Sequence, residues 1–177
     1  DAGAVLVNDK NLFNKVYQIH DHGRSVEGEV MRWGRNSRLD NIQAAILGHK
    51  LKTYSSVIER RREIAQMYHD RLKDLEQLKL PPGPTENKDN FDVYQNFELE
   101  ADNRDELKNF LSKKNIGTLI QWGGMGIHHF KQLGFNQVLP NTDQFFRRCI
   151  MLPMNIFISN DDIEYICESI ISFYKND

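Results

Sequence analysis

Apolar residues recur every three or four positions along the middle of this chain. The stripe that they form is Leu39, Ile42, Ile46, Leu51, Tyr54, Ile58, Ala65, Tyr68, Leu72 and Leu75. This period is typical of one face of an amphipathic helix, although the pattern slips near Gly48 and Arg61. We therefore predict one long helix over residues 37–80. A helix of this kind commonly bridges two domains or packs against a partner.

The start of this helix carries more polar side chains than a helix start requires. Ser37 and Asp40 have the spacing of a capping box, in which each side chain accepts a hydrogen bond from the other residue's backbone N–H. Asn36 and Arg38 lie in the same stretch, GRNSRLD, and this capping scheme does not use them. They are therefore candidate binding residues.

Shorter patterns lie before the long helix. An apolar run at residues 4–7 predicts a buried strand, and the spacing of Leu12, Val16 and Ile19 predicts a short helix. Residues 20–35 contain three glycines and no clear period, which indicates a loop.

A proline-rich linker and a second domain follow the long helix. Residues 81–90 contain prolines that a helix interior does not tolerate, so we expect a linker there. The patterns beyond it predict, in order, a strand at 91–99, a helix capped near Asn103, a strand at 116–122, a helix at 142–149, an extended piece at 151–153 and a last helix capped by Ser159 with Asp162. This order is typical of a small α+β domain.

Composition narrows the functional classes. The 177 residues are 40% hydrophobic and 27% charged with a net charge of −2, so no strong field attracts nucleic acid or an anionic membrane. No apolar run is long enough to cross a bilayer and no signal peptide is recognisable, so we expect a cytoplasmic protein.

Cys149 and Cys167 lie in apolar stretches without CxxC spacing, which predicts reduced core thiols. The chain opens without Met on an apolar run, which suggests a fragment of a longer protein.

The common catalytic motifs do not identify a reaction. The sequence contains no GxSxG, Walker A or GxGxxG motif, and QWGGMG at 121–126 lacks the lysine of a phosphate-binding P-loop. Its glycines better fit a turn where the backbone comes close to a ligand or another chain. His128 and His129 are adjacent, and adjacent side chains of an extended segment point to opposite sides. We therefore predict no metal site there.

Several blocks of sequence together identify a family. The chain contains, in order, DAGAVLVND, HG at 22–23, GRNSRLDNIQAAIL, ERRREIAQMY, KKNIGT and a histidine after a glycine-rich turn. In this order the blocks resemble the DegT/DnrJ/EryC1/StrS family of sugar aminotransferases, which use pyridoxal phosphate (PLP). The resemblance covers essentially the whole chain. It implies the α/β architecture of a fold-type I PLP transferase, of which this chain would be the C-terminal part.

The resemblance also implies a domain organisation and partners. Residues 1–36 would end the large PLP-binding domain, 37–80 would form an interdomain and dimer helix, 81–90 the linker and 91–177 the small α+β domain. Family members work as homodimers with shared active sites. They transfer an amino group, commonly from glutamate, to a keto carbon of a nucleotide-linked sugar. We therefore expect a role in deoxyamino-sugar or polysaccharide biosynthesis.

Candidate cofactor-binding residues follow from the same resemblance. The asparagine of the family's G-x-N-x-R pattern is Asn36 here, and in the family it reaches across the dimer interface to the phosphate of the partner's PLP. Arg38 would add positive charge near that phosphate or the sugar nucleotide, or it would pair with a carboxylate that orders the loop. Gly34 would let the loop turn tightly.

The resemblance extends to a substrate-closing segment of the small domain, where this chain departs from the pattern. Gln121 and Trp122 replace the usual His and Tyr, and His128 falls where a later family His lies. Trp122 and His128 are therefore candidate substrate-binding residues. Alternatively, Trp122 fills a gap between the small domain and the long helix.

The catalytic lysine is the residue that this chain would lack. In the family it lies shortly before the strand on which this chain opens, so it would precede Asp1 and the isolated chain would be inactive. Two alternatives stay open. One is a nucleotide-sugar dehydratase of the same family, in which a His replaces the lysine, and the other is a non-catalytic module in which the long helix mediates dimerisation.

Overall fold

The computed structural model describes residues 3–86 and 90–175, and the chain divides between Tyr54 and Ser55 into two units. The first unit contains the helices α1 (Lys10–His20) and α2 (Asn41–Leu51). The second contains nearly all of α3 (Tyr54–Leu72), followed by β1 (Leu78–Lys79), β2 (Phe97–Ala101), α4 (Arg104–Lys113), α5 (Pro140–Arg148), β3 (Cys149–Leu152) and α6 (Asn160–Lys175). Short 3₁₀ turns at Gln121–Gly124, Ile127–His129 and Lys131–Leu133 lie between α4 and α5.

Helix α1 begins where the sequence supplies a cap. The Asp9 side chain accepts a hydrogen bond from the Leu12 N–H at 2.6 Å, which satisfies one of the donors that a helix start leaves open. The predicted short helix is thus confirmed. The strand predicted at residues 4–7 is wrong, because no strand among the described residues pairs with this segment, and Val5 and Leu6 are exposed.

The single long helix predicted over residues 37–80 is also wrong, because α2 and α3 are separate helices. At the break, the Thr53 N–H donates to the Lys50 carbonyl three residues back at 3.2 Å, and the Thr53 hydroxyl donates to the same carbonyl at 3.4 Å. These bonds replace the regular helical ladder. Helix α3 then ends at Leu72. The slip in the apolar pattern near Gly48 is the sequence feature that accompanies the break.

Helix α2 begins later than the capping pattern predicts. Its N-cap is Asp40, whose side chain makes no capping hydrogen bond. Ser37 instead donates its backbone N–H to the His20 carbonyl at 2.9 Å, which ties it to the end of α1. The predicted Ser37–Asp40 capping box is therefore wrong, because a backbone bond within the preceding loop holds Ser37 outside the helix.

The second unit is built on an antiparallel sheet in the order β1-β2-β3. Strand β2 alternates between the two faces: Phe97 and Leu99 are buried in the core, while Glu98 and Glu100 are half-buried on the other face. Leu99 lies opposite Ile150 of β3, which is also fully buried. The helices contribute much of this core, including Ile64, Ala65, Tyr68, Leu72, Leu107, Leu111, Ile163, Ile166, Cys167 and Ile170. The α+β character predicted for this part of the chain is confirmed.

Two predicted strands differ from the structure. The strand predicted at 91–99 begins only at Phe97, because Tyr94 adopts a left-handed φ of 48° that extended backbone does not permit. The strand predicted at 116–122 is wrong: it reduces to one bridge between Leu119 and Met151, after which the chain turns.

A local capping signal predicts the last helix well. Ser159 and Asp162 form the predicted reciprocal bonds, with the Asp162 N–H donating to Ser159 Oγ at 3.1 Å and the Ser159 N–H to Asp162 Oδ2 at 3.2 Å. The helix predicted at 142–149 is confirmed as α5.

Residues 81–86 and 90 lack regular structure, as a linker should, and residues 87–89 of the predicted linker lie outside the described residues. Among the helices described, none has the length and apolar character needed to span a membrane.

We predict that neither cysteine reacts while the protein is folded. Cys149 and Cys167 are free and fully buried, and burial raises the pKa of both thiols, that of Cys167 to about 12. A thiol without thiolate character or solvent access is a poor nucleophile. A short iodoacetamide pulse followed by peptide mass mapping should therefore find both residues unmodified in buffer and both alkylated in denaturant. Rapid labelling of either residue in the native state would contradict their burial.

Candidate functional site

The loop between α1 and α2 folds back on itself. Asp21 and Asn36 form an antiparallel bridge, and the His22 N–H donates to the Arg35 carbonyl at 3.0 Å. The loop predicted at residues 20–35 is therefore confirmed, and its pairing brings the residues that precede α2 next to the end of α1.

Two glycines permit this close approach. A Cβ atom on Gly34 would lie 2.1 Å from the Gly23 nitrogen, and a Cβ atom on Gly23 would lie 1.7 Å from the Arg32 oxygen. Gly23 has a left-handed φ of +80°, whereas Gly34 lies outside that region. The expected role of Gly34 in a tight turn is thus replaced by a packing requirement, since no side chain fits between the two segments.

Asn36, Arg38 and Asp21 form a connected set of polar side chains. Arg38 donates from Nε to Asn36 Oδ1 at 3.0 Å, and its Nη1 lies 3.5 Å from Asp21 Oδ1. The Arg38 side chain is 51% exposed, so this ion pair adds little stability and acts mainly by fixing orientation. Arg38 thus pairs with a carboxylate within the loop, which was one of its two expected roles.

This arrangement leaves the amide nitrogen of Asn36 available. Because Arg38 occupies the amide oxygen, the orientation of the amide is fixed, and its N–H donors meet no acceptor within residues 3–86 or 90–175. Amide donors beside a guanidinium are chemically suited to an anion such as a phosphate oxygen. Asp40, the N-cap of α2, is close in sequence, and its negative charge would repel an anion. The N-terminus of α2 alone therefore does not make this site.

A separate apolar cleft of about 540 Å³ opens in the same unit. Phe13, Val16 and Tyr17 of α1 line it together with Arg38, whereas Asn36 does not. Its walls are suited to apolar groups, and we therefore do not assign the phosphate to this cleft.

The segment after Leu119 in the second unit, named here the Trp122 loop (residues 120–133), contains an unusual exposed aromatic residue. Trp122 is 78% exposed and has a left-handed φ of 50°, and Gly123 and Gly124 follow with φ of 65° and 77°. A left-handed conformation is costly for a residue with a bulky side chain. The turn therefore presents the indole to solvent despite a backbone cost.

One carboxylate of α5 binds two imidazoles of this loop. Asp143 Oδ1 lies 2.7 Å from His128 Nε2 and 2.9 Å from His129 Nε2. His128 is buried, and the two rings lie 4.0 Å apart between centroids. The hydrogen bond from His128, supported by that from His129, holds the pKa of Asp143 below its usual value. The carboxylate is therefore the ionised acceptor of this cluster.

The argument against a metal site from adjacent histidines is wrong. Residues 127–129 form a 3₁₀ turn rather than an extended segment, so His128 and His129 reach the same side. With Asp143 they form a group whose possible ligand atoms all lie within 4.8 Å of one another. The geometry alone would accommodate a metal ion. Whether the cluster suits a metal or is held by hydrogen bonds depends on which ring nitrogens carry protons.

The sequence-predicted site residues fall into two pairs. Asn36 and Arg38 are bonded to each other in the first unit, and Trp122 and His128 belong to one loop in the second. Trp122 is exposed, so within the second unit it fills no gap between the small domain and α3, the part of the predicted long helix that lies there. His128 is buried and directed at Asp143.

Sequence reasoning missed two carboxylates, Asp21 and Asp143, that hold these pairs. Each is separated from its partners by more than ten residues, and neither lies in a motif. The one available signal is that Asp143 lies in the first turn of a predicted helix, a common position for an acidic residue.

Comparison with known proteins places the chain in a family. The model of the DegT/DnrJ/EryC1/StrS aminotransferase family matches residues 1–171. The chain belongs to this family. It is 31% identical to a dTDP-3-amino-3,6-dideoxy-alpha-D-galactopyranose transaminase of Aneurinibacillus thermoaerophilus, with 96% of the chain and 46% of that protein covered. It is 32% identical to a GDP-perosamine synthase of Escherichia coli O157:H7, with 99% and 48% covered.

A solved structure supports the fold. The chain matches a DegT DnrJ EryC1 StrS aminotransferase from Brucella abortus with a TM-score of 0.83 and 30% identity, covering 95% of this chain and 45% of that one. The predicted fold class, the α/β architecture of fold-type I PLP transferases, is thus confirmed. The chain spans about half the length of the curated relatives that it matches.

We predict that Trp122→Gly leaves the protein more stable than Trp122→Ala. Glycine relieves the left-handed backbone that alanine would retain, a difference of about 1 kcal/mol. Because the indole is exposed, neither variant should approach the loss of about 3–5 kcal/mol that follows truncation of a buried Trp. Denaturant unfolding of the two variants beside the unchanged protein measures both differences. Alanine more stable than glycine would contradict the left-handed turn.

Proposed function

We propose that this chain is part of a PLP-dependent aminotransferase that transfers an amino group from glutamate to a keto carbon of a nucleotide-linked sugar. The family match over residues 1–171 carries this proposal. The names of the relatives, a dTDP-sugar transaminase and a GDP-perosamine synthase, support a nucleotide sugar as the substrate class. The pathway would be deoxyamino-sugar or polysaccharide biosynthesis in the cytoplasm.

The division into two units supports two functional parts. We assign residues 1–36 to the end of the large PLP-binding domain and residues 91–177 to the small domain, with the region 37–80 and the linker 81–90 between them. The boundary between the two units, after Tyr54, falls within residues 37–80. The working form would be a homodimer in which each active site uses residues of both subunits.

Asn36 is the residue that we assign to the phosphate of PLP in the facing subunit. Its amide oxygen is held by Arg38, so its N–H donors fit a phosphate oxygen. Arg38 orients Asn36 and contributes positive charge to the same anion. When bound, PLP supplies an electron sink for the chemistry at the substrate carbon, and Asn36 and Arg38 would serve to bind and orient it.

Trp122 and His128 are the residues that we assign to the sugar nucleotide. The exposed indole offers a flat face on which a sugar or a base can stack. His128 is buried against Asp143, so its contribution would come through the shape of the Trp122 loop as well as through any contact with the substrate.

We expect the protein that contains this chain to convert keto-sugar nucleotides into amino-sugar nucleotides. The purified protein would be supplied with PLP, isotope-labelled glutamate and a panel of dTDP-, UDP- and GDP-linked keto sugars. Mass spectrometry should find the labelled nitrogen in one sugar product. Loss of water from the sugar without nitrogen incorporation would instead indicate a dehydratase, and absence of PLP absorbance would indicate a non-catalytic module.

We predict that Asn36→Ala in the same protein weakens PLP retention without unfolding it. Loss of a hydrogen bond to a charged phosphate costs about 1.5–3 kcal/mol, which corresponds to about a 10- to 150-fold increase in the Kd for PLP. Titration of the apoprotein with PLP, followed by absorbance, measures the change. Asn14→Ala, an exposed asparagine of α1, is the matched control and should bind PLP normally. Equal affinity in the two variants would remove Asn36 from the phosphate site.

A further inference from the structure

Hydrogen bonds in the Trp122 loop determine which nitrogen of each histidine ring faces Asp143 as a donor. Gly126 donates its backbone N–H to His129 Nδ1 at 3.0 Å, so that nitrogen carries no proton and the proton of the neutral ring is on Nε2. His129 Nε2 therefore donates to Asp143. His128 Nε2 donates to the same ionised oxygen, since a carboxylate can only accept.

This proton arrangement favours a hydrogen-bonded clamp, in which His128 and His129 both donate to Asp143, over a metal site. A metal bound at Nε2 requires the ring proton on Nδ1, where a ligating histidine usually donates it to a second acceptor. His129 Nδ1 is itself an acceptor, and His128 Nδ1 is buried with no partner within the described residues. Neither Nε2 can therefore present a lone pair to a metal shared with Asp143 without losing its present hydrogen bond.

The backbone of the loop is fitted to this clamp. A Cβ atom on Gly126 would lie 2.7 Å from His128 Cε1 and 3.2 Å from Phe146 Cε2, so glycine is needed for the ring to lie between the loop and α5. Gly126 also provides the N–H that orients His129. Gly126 thus leaves room for the His128 ring and orients the His129 ring.

The loop contains little regular backbone structure. Between the bridge at Leu119 and the start of α5 at Pro140, the described backbone contains only short 3₁₀ turns. Segments of this length without regular structure are uncommon and are often functional. Asp143 of α5 accepts the hydrogen bonds of His128 and His129, which lie near the middle of this segment. These bonds attach the segment to the helix.

We propose that Asp143 is a positioning residue, which fastens the Trp122 loop to α5 through His128 and His129 and so holds Trp122 in place for the sugar nucleotide. The inference rests on the proposed function for the role of Trp122, but the fastening itself does not. Asp143 acts through the loop and makes no contact with the reacting atoms.

Limited proteolysis of the PLP-loaded protein tests the fastening without an activity measurement. Lys131 is exposed within the loop, so trypsin cleavage after it, identified by mass spectrometry, reports loop opening. Asp143→Ala should increase the cleavage rate about tenfold or more, and the isosteric Asp143→Asn, which keeps an acceptor oxygen, should increase it less. Asp161→Ala is the matched control, because Asp161 lies in the first turn of α6 and makes no such bonds; it should cleave at the unchanged rate. Unchanged cleavage in Asp143→Ala would overturn the proposal.

Kinetics test the role of the fastening in substrate binding. Asp143→Ala and Trp122→Ala should each raise the KM for the keto-sugar nucleotide about five- to 100-fold, with the glutamate half-reaction changed less than about twofold. The two effects should not multiply in the double variant, because Asp143 acts largely through Trp122. Independent, multiplying effects would overturn this link. Absence of any transamination would reject the proposed function and leave the proteolysis result standing.

A chelation experiment separates the clamp from a metal site. The clamp predicts that EDTA does not change cleavage after Lys131 and that Zn²⁺ does not slow it. An EDTA effect as large as that of Asp143→Ala, reversed by Zn²⁺, would overturn the hydrogen-bonded clamp in favour of a metal site.

Discussion

The antiparallel pairing of β2 with β3 determines where the candidate binding residues of the second unit lie. Strand β3 follows α5 without an intervening loop, so the buried ladder between the strands fixes the end of that helix. Arg104 reinforces the junction, since its Nη1 donates to the Phe146 carbonyl at 3.2 Å and to the Cys149 carbonyl at 2.8 Å. Asp143 lies earlier on the same helix. The apolar core thus sets the position of the carboxylate to which the Trp122 loop is bonded.

Sequence patterns predicted those elements whose signals are local. Helix α6 was predictable because Ser159 and Asp162 are three residues apart and cap the helix to which they belong. The Trp122 loop was not, because its conformation depends on Asp143, more than ten residues away, and on glycines whose φ values the sequence does not state. The break between α2 and α3 was missed for a different reason: its bonds are local, from Thr53 to Lys50, but apolar spacing continues on both sides of it and predicts one helix.

Binding residues and the residues that orient them lie far apart in the sequence. This separation explains why a motif identified only part of each candidate site. A motif contains the residues that would touch a ligand, such as Asn36, but the residues that orient them come from elsewhere in the chain. Asp21 lies 3.5 Å from the Arg38 that holds Asn36, and Asp143 holds His128. In both units a carboxylate joins separate segments: Asp143 accepts hydrogen bonds from two imidazoles, and Asp21 forms an ion pair with Arg38.

Two features of the Trp122 loop cost free energy locally. Trp122 has a left-handed backbone and an exposed indole, and His128 Nδ1 is buried without a partner in the described part of the chain. Such costs persist where surrounding contacts over-determine a conformation, and they commonly occur at functional sites. The loop between α1 and α2, named here the Asn36 loop (residues 21–40), keeps the family's G-x-N-x-R pattern, whereas the Trp122 loop has Gln121 and Trp122 where the family usually has His and Tyr. We therefore infer that what this protein shares with its relatives is concentrated at the Asn36 loop, and that what distinguishes its substrate is concentrated at the Trp122 loop.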